Sequence, residues 1–132
     1  VYLTDLIEGL KQTFDSTKQI EFNIKSEEIK ISIEHAVPCS LILNEVIINA
    51  FKHAFDGINE PLLEISISKN GTDVELLVCD NGVGIENTLT TSSTPSLGSK
   101  LIDILTQQID GKSEYVEGPT SGTCFKLTFP IQ

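Results

Sequence analysis

The sequence predicts an α+β fold, a two-layer α/β sandwich whose mixed, mostly antiparallel sheet is covered on one face by three helices. Three observations predict it. Apolar residues recur at helical spacing in three separate stretches. Apolar and polar residues alternate in about six others, several of them joined by short turns. The helical stretches fall between strand pairs, which suggests one helical layer laid on a largely antiparallel sheet.

The elements follow in order. Leu6, Ile7, Leu10 and Phe14 mark an amphipathic helix over residues 3–16. Ile20, Phe22 and Ile24 alternate with polar residues, and Ile29, Ile31 and Ile33 repeat the pattern, so two strands are expected around a Ser26-Glu27-Glu28 turn. Pro38 suits the first turn of a second helix, which runs to about Phe55 before Asp56-Gly57-Ile58-Asn59-Glu60-Pro61 ends it. Residues 62–69 and 73–79 alternate again, and Asn70-Gly71 between them is a hairpin signal. A glycine-rich loop and a Ser/Thr-rich stretch over 86–96 come next. Leu101, Ile102, Leu105 and Ile109 make the third helix, closed by Gly111. Residues 113–117 and 123–129 are the last strand pair, around Gly118-Pro119-Thr120-Ser121-Gly122.

Size and charge set bounds. The chain has 132 residues, which suits one domain over 1–132, and 39% hydrophobic residues, enough for a core. Nineteen acidic residues against nine basic ones leave a net charge of -10. All the basic residues are lysines. That balance argues against a nucleic-acid binder, which needs a basic face. No apolar run approaches the roughly 20 residues of a membrane span. The start lacks the pattern of a signal peptide. A first residue Val1 and the lack of Met lead us to expect a piece of a longer protein. Cys39, Cys79 and Cys124 are widely spaced and odd in number, so buried, reduced thiols in a cytoplasmic domain are expected.

The second helix carries polar residues in an informative place. At about 100° per residue, Leu43, Val46, Ile47, Ala50, Phe51 and Ala54 share one broad apolar face. Glu45, Asn49, Lys52 and His53 fall on the opposite stripe, bordered by Leu41, Ile42 and Ile48. Glu and Asn oxygens suit Mg²⁺, and lysine offers a point charge to a phosphate. A plain solvated helix face is the alternative. Val74, Leu76 and Val78 then lead straight into Asp80-Asn81-Gly82-Val83-Gly84-Ile85. A carboxylate at a strand end can accept from an exocyclic amine, and the glycines let a ligand approach closely. An ordinary Asp-Asn-Gly turn satisfies the same residues. Ser96-Leu97-Gly98 opens the third helix, whose free N–H groups attract phosphate, though a simple N-cap explains it too.

Taken in order, N-E-V-I-I-N-A-F-K-H-A-F (44–55), D-N-G-V-G-I (80–85), S-L-G-S-K-L-I-D-I-L-T-Q-Q-I-D-G (96–111) and S-G-T-C-F-K-L-T-F-P (121–130) form a series. It resembles the N, G1, G2 and G3 boxes of the ATP-binding domain shared by histidine kinases, gyrase, Hsp90 and MutL, the Bergerat-type ATP-binding fold. Within that superfamily the chain looks most like the catalytic domain of bacterial sensor histidine kinases with a short lid.

The resemblance implies cofactors, roles and partners. ATP and Mg²⁺ would bind. Asn49 would coordinate Mg²⁺ with Glu45 assisting, and Lys52 with His53 would contact phosphate or ribose. Asp80 would hydrogen-bond the adenine amine, with Thr123 helping through water. Gly82, Gly84 and Gly122 would shape the pocket, residues 86–97 would be the lid, and Leu97 with Gly98 would hold the phosphates. The γ-phosphoryl would pass to a histidine on a separate dimerisation domain, and from there to a response regulator, in a homodimeric parent protein. Neither His35, expected at a strand end, nor His53 has the context of that phosphoacceptor. Ser96 stands where many such kinases carry glycine. An anti-sigma-type serine kinase shares the same boxes and is the alternative function.

Overall fold

The computed structural model describes residues 1–15, 20–54, 57–58, 60–82, 97–118 and 122–131, without the side chains of residues 15, 53, 54 and 97. The chain runs α1 (Leu3–Asp15), β1 (Glu21–Ser26), α2 (Ile33–Asn49), a π-helical turn (Ala50–Ala54), β2 (Leu62–Asn70), β3 (Asp73–Asp80), α3 (Leu97–Gln108), β4 (Lys112–Glu117) and β5 (Thr123–Pro130). The five strands form one sheet in the order β1-β2-β3-β5-β4. β1 pairs with β2 in parallel, and the other three pairings are antiparallel. The sandwich and its mixed sheet therefore match the expectation.

The helical layer packs on one face. Leu63, Ile65 and Ile67 of β2, Val74, Leu76 and Val78 of β3, and Phe125, Leu127 and Phe129 of β5 are buried at every second position. They meet Leu3 and Ile7 of α1, Cys39, Ile42, Leu43, Val46 and Ile47 of α2, and Ile102 and Leu105 of α3. Burying each large side chain of this set contributes about 1.5–3 kcal/mol. The other face carries ion pairs at exposed or half-buried positions, Lys25–Glu64 at 3.8 Å and Lys126–Glu75 at 3.9 Å. Pairs so placed contribute little. Gly71, at φ 66, makes the hairpin turn expected between β2 and β3.

Three expectations are corrected. Residues 29–33 are not a strand paired with β1. Ile29 and Ile31 are buried, but the Leu3 N–H donates to the Ile29 carbonyl at 2.9 Å and the Ile31 N–H to the Val1 carbonyl at 2.7 Å. With only the first residues of the chain as partner, the segment forms an isolated bridge, Tyr2 to Lys30, and no ladder. The freed β1 pairs with β2 instead, which makes five strands among the described residues where about six were expected.

The second helix begins earlier than Pro38. Ser32 is extended (φ -69, ψ 160), and its carbonyl accepts from the His35 and Ala36 N–H groups at 3.1 and 2.9 Å. Ile33 is thus the first helical residue and is 67% exposed, while Pro38 sits in the second turn, where it deletes one helix hydrogen bond. His35 lies in this first turn, not at a strand end. Its ring stacks on Phe129 at 5.8 Å and its Nδ1 bonds the Ser32 hydroxyl at 2.9 Å.

The cysteines are not all thiols. Cys79 and Cys124 form a disulfide, with Cα atoms 4.0 Å apart. Their 45-residue separation hides the pairing in the sequence, but they stand directly opposite in the β3–β5 register. Cys39 remains a buried free thiol whose pKa burial pushes up to about 12, which leaves it unreactive. Alkylation in denaturant is therefore expected to label one cysteine before reduction and all three after it. Three labels before reduction would contradict the pairing.

Candidate functional site

The β3–β5 register also positions the candidate site. Asp80 ends β3 next to Cys79, and Thr123 begins β5 next to Cys124, so the two strand ends lie side by side. One carboxylate oxygen of Asp80, Oδ1, accepts two backbone N–H bonds, from Gly82 at 2.9 Å and from Thr123 at 3.1 Å. Those bonds fix one end of the carboxylate and leave Oδ2 as an acceptor. Burial is the largest influence on Asp80 and raises its pKa, against the lowering effect of these two N–H bonds. Beside it, Thr123 Oγ1 is buried without a hydrogen-bond partner. An orphaned buried hydroxyl is costly unless a ligand or water satisfies it. A carboxylate acceptor and an unsatisfied hydroxyl thus stand at adjacent strand ends.

Two neighbours brace the loop. Asn81 accepts from the Leu62 N–H at 2.9 Å and donates to the Glu60 carbonyl at 2.9 Å, tying the residue after Asp80 to the start of β2. Gly122 has φ 86, and a Cβ there would press on the Asp80 main-chain oxygen and lie 2.6 Å from Asp80 Oδ1 and 2.7 Å from the Gly82 nitrogen. Gly122 is therefore required both by its backbone conformation and by the close approach of the Asp80 turn.

The α2 stripe is shorter than expected. Glu45 and Asn49 occupy the last two turns of α2, one turn apart, and both are half-buried. The helix then widens into the π-helical turn, a feature frequent at functional sites. That turn alters the angular step after Asn49, so the straight stripe expected for Glu45, Asn49, Lys52 and His53 ends at Asn49. Lys52 lies on the turn and is exposed. The side chain of His53 lies outside the described residues, as do Gly84, the Leu97 side chain and the expected lid up to residue 96. Gly98 lies in the first turn of α3, at the N-terminal end where anions are favoured.

One residue without a sequence signal lies near these parts. Tyr115 of β4 stands opposite Phe125 of β5, and the two rings meet edge to face at 5.2 Å. The residue is 46% exposed. Partial burial raises its phenol pKa most, and the Asp80, Asp103 and Glu45 carboxylates raise it further. It was missed because it belongs to a weakly patterned edge strand.

Among the described residues no group of three or more His, Cys, Asp and Glu side chains is placed to hold a metal ion. Glu45 and Asn49 supply hard oxygens, the donor set for a Mg²⁺ that also takes phosphate oxygens and water. The residues present fit that group.

Comparison with known proteins agrees with this geometry. Residues 34–132 match the family described as histidine kinase-, DNA gyrase B- and HSP90-like ATPases. The chain is 25% identical over 118 residues to blue-light-activated histidine kinase 2 of Erythrobacter litoralis, covering 89% of this chain and 34% of that protein. It is 24% identical over 103 residues to sensor histidine kinase PdtaS of Mycolicibacterium smegmatis, covering 76% and 21%. The chain thus spans about a third or less of these relatives' lengths. The ATP-binding domain of PrrB from Mycobacterium tuberculosis shares the fold, with a TM-score of 0.79 at 22% identity over 100% of this chain and 96% of that one.

Gly122→Ala is expected to lower stability by more than about 1–2 kcal/mol, because a positive φ and a steric conflict add. Gly71→Ala also has a positive φ but meets nothing within 4 Å, so its cost should be the smaller. Chemical denaturation of both variants checks the order. Equal costs would mean that the Asp80 turn does not press on Gly122.

Proposed function

Because the chain belongs to the family of histidine kinase-, DNA gyrase B- and HSP90-like ATPases, we propose that residues 1–132 act as one ATP-binding catalytic unit of a sensor histidine kinase. The unit would bind Mg²⁺-ATP and present its γ-phosphoryl to a histidine on a separate dimerisation domain. The observation that carries this reading is the Asp80 carboxylate, held at Oδ1 by two backbone N–H groups beside the unsatisfied Thr123 hydroxyl. The histidine-kinase names of both curated relatives favour it over the anti-sigma serine kinase.

Each residue has a part in this proposal. Asp80 Oδ2 accepts from the 6-amino group of adenine, and Thr123 Oγ1 bonds a ring nitrogen directly or through water. Gly122 keeps the backbone thin enough for the Asp80 turn to close, and Gly82 would line the pocket while its N–H holds Asp80 Oδ1. Gly84 would continue that wall. Asn49 and Glu45 offer oxygens to Mg²⁺, which when bound neutralises charge on the transferring phosphoryl. Lys52 and His53 serve the phosphates or ribose, and Leu97 with Gly98 and the α3 N-terminus serve the phosphate tail. Residues 86–97 would act as the lid.

His35 has a structural role in this scheme. Packed on Phe129 and bonded to Ser32, it braces α2 against β5. The phosphoacceptor then belongs to a neighbouring domain, a response regulator takes the phosphoryl next, and the parent protein is a homodimer. No helix among the described residues is long and apolar enough to cross a membrane. We place the unit in the cytoplasm, where ATP is available.

Asp80→Asn tests the site. Asn keeps an oxygen for the Gly82 and Thr123 N–H groups but turns an NH₂ toward the adenine amine. Nucleotide affinity is expected to fall at least about tenfold, the loss of a hydrogen bond to a charged group. Folding should survive. With its folded-state pKa raised, Asp80 favours folding only below the ordinary carboxylate range and loses that contribution as pH rises through the raised value. The variant should therefore melt no lower than wild type at neutral pH. Unchanged affinity for an ATP analogue would remove Asp80 from the pocket. Asn49→Ala is expected to abolish the Mg²⁺-dependent gain in nucleotide affinity while leaving metal-free binding intact, measured by calorimetry with and without chelator. An equal gain in both proteins would remove the metal role.

A further inference from the structure

The Cys79–Cys124 disulfide takes no part in phosphoryl chemistry, yet it sits beside the site. Val78 and Phe125 face the helical layer, so Cys79 and Cys124, each one residue away, lie on the opposite sheet face, between Glu64 of β2 and Val116 of β4. Cys79 is half-buried and Cys124 is 5% exposed. Among the described residues β3 and β5 pair up to this rung and no further. Beyond it each strand is held from its far side, Asp80 opposite Leu63 of β2 and Thr123 opposite Glu117 of β4. Asp80 and Thr123 are then joined by the Thr123 N–H bond to Asp80 Oδ1 at 3.1 Å, near the long end of the range for such bonds.

Disulfides are rare in a reducing cytoplasm, and those present are usually transient or redox-sensing. We propose that Cys79 and Cys124 form a reversible redox-modification site, whose oxidised state clamps the Asp80–Thr123 corner for nucleotide and whose reduced state releases it. Its effect on binding rests on the proposed role of Asp80 in holding adenine. The co-substrate is a dithiol–disulfide carrier. A thiolate of the carrier attacks the sulfur of Cys79, the more exposed residue of the pair. The Cys79–Cys124 bond breaks, and Cys124 leaves as a thiolate that takes up a proton. The second thiol of the carrier closes the carrier's own disulfide and releases Cys79 as a thiol, so the protein gains two electrons and two protons. Reduction moves the strands, because bonded sulfurs lie well inside van der Waals contact and two thiols do not. The opposed Cα atoms stand 4.0 Å apart, against about 4.5–5.5 Å in unlinked antiparallel pairs. Widening by about half an ångström takes the 3.1 Å bond out of range.

The test compares the chain oxidised in air with the chain reduced by dithiothreitol, a dithiol probe. Without ligand, the Thr123 backbone amide, observed by NMR, is expected to shift and to exchange faster with water in the reduced protein. An unmoved amide would overturn the coupling of the pair to the site. Calorimetric affinity for a non-hydrolysable ATP analogue with Mg²⁺ is expected to fall about tenfold on reduction, the loss of a hydrogen bond to a charged group. It should return on reoxidation with glutathione disulfide. The double variant Cys79→Ser, Cys124→Ser is expected to bind like reduced wild type and to ignore the reductant. Equal affinities in the two states, or a response that survives in the double variant, would overturn the proposal. So would a bond that stays closed in glutathione buffers of cytoplasmic ratio, or reduction that unfolds the chain by circular dichroism, since either makes the disulfide a structural staple. Oxidised protein that binds no nucleotide would instead overturn the adenine reading of Asp80, with the Thr123 amide still deciding the clamp.

Discussion

The pairing of β3 with β5 governs the site. Its register sets Cys79 against Cys124, and so brings the next residues outward, Asp80 and Thr123, to adjacent strand ends. A slip of one residue would turn the side chains to the other sheet face and separate the Asp80 carboxylate from the Thr123 N–H. The buried alternation of Val74, Leu76 and Val78 against Phe125, Leu127 and Phe129 prevents that slip, because a slip by either strand would expose its set of three. The disulfide reinforces the same register from the neighbouring position. The core therefore specifies the site through strand pairing, and Gly122 is the residue whose size the resulting close approach forbids to grow.

Much of this was legible in the sequence, for identifiable reasons. The β2–β3 hairpin was legible because Asn70-Gly71 is local turn chemistry between two alternating runs. α1 and α3 showed themselves by helical spacing, and Asp80, Gly82, Gly122 and Thr123 by their box motifs. What failed was long-range or subtle. Alternation at Ile29 and Ile31 reported burial correctly, but burial against the chain's first residues does not make a strand. The start of α2 was hidden because Pro38 is a stronger punctuation mark than Ser32. The disulfide depended on register between residues 45 apart, which no spacing rule contains. The π-helical turn breaks the uniform step on which a helical wheel depends.

The net charge of -10 separates one class of polyanion from another. An acidic surface argues against nucleic acid, whose binding needs many phosphate contacts at once. A nucleotide makes few such contacts, and they are local. Salt screens charges beyond a Debye length of about 8 Å, so distant carboxylates weigh little against a metal ion, Lys52 and the N-terminal end of α3. The nearby acids, Glu45, Asp80 and Asp103, matter more. Their charges raise the Tyr115 phenol pKa. With no arginine in the chain, any arginine that assists phosphoryl transfer has to come from another domain or partner.

The central claim is that Asp80 recognises the 6-amino group of adenine. The most direct measurement compares calorimetric affinities for Mg²⁺-ATP and for the triphosphate of purine riboside, which differs only in lacking that amino group. The expected result is tight binding of ATP and an affinity for the analogue at least about tenfold weaker, since the analogue leaves a half-buried carboxylate oxygen without its partner. Equal affinities would contradict the claim, because the amino group would then contribute nothing to recognition.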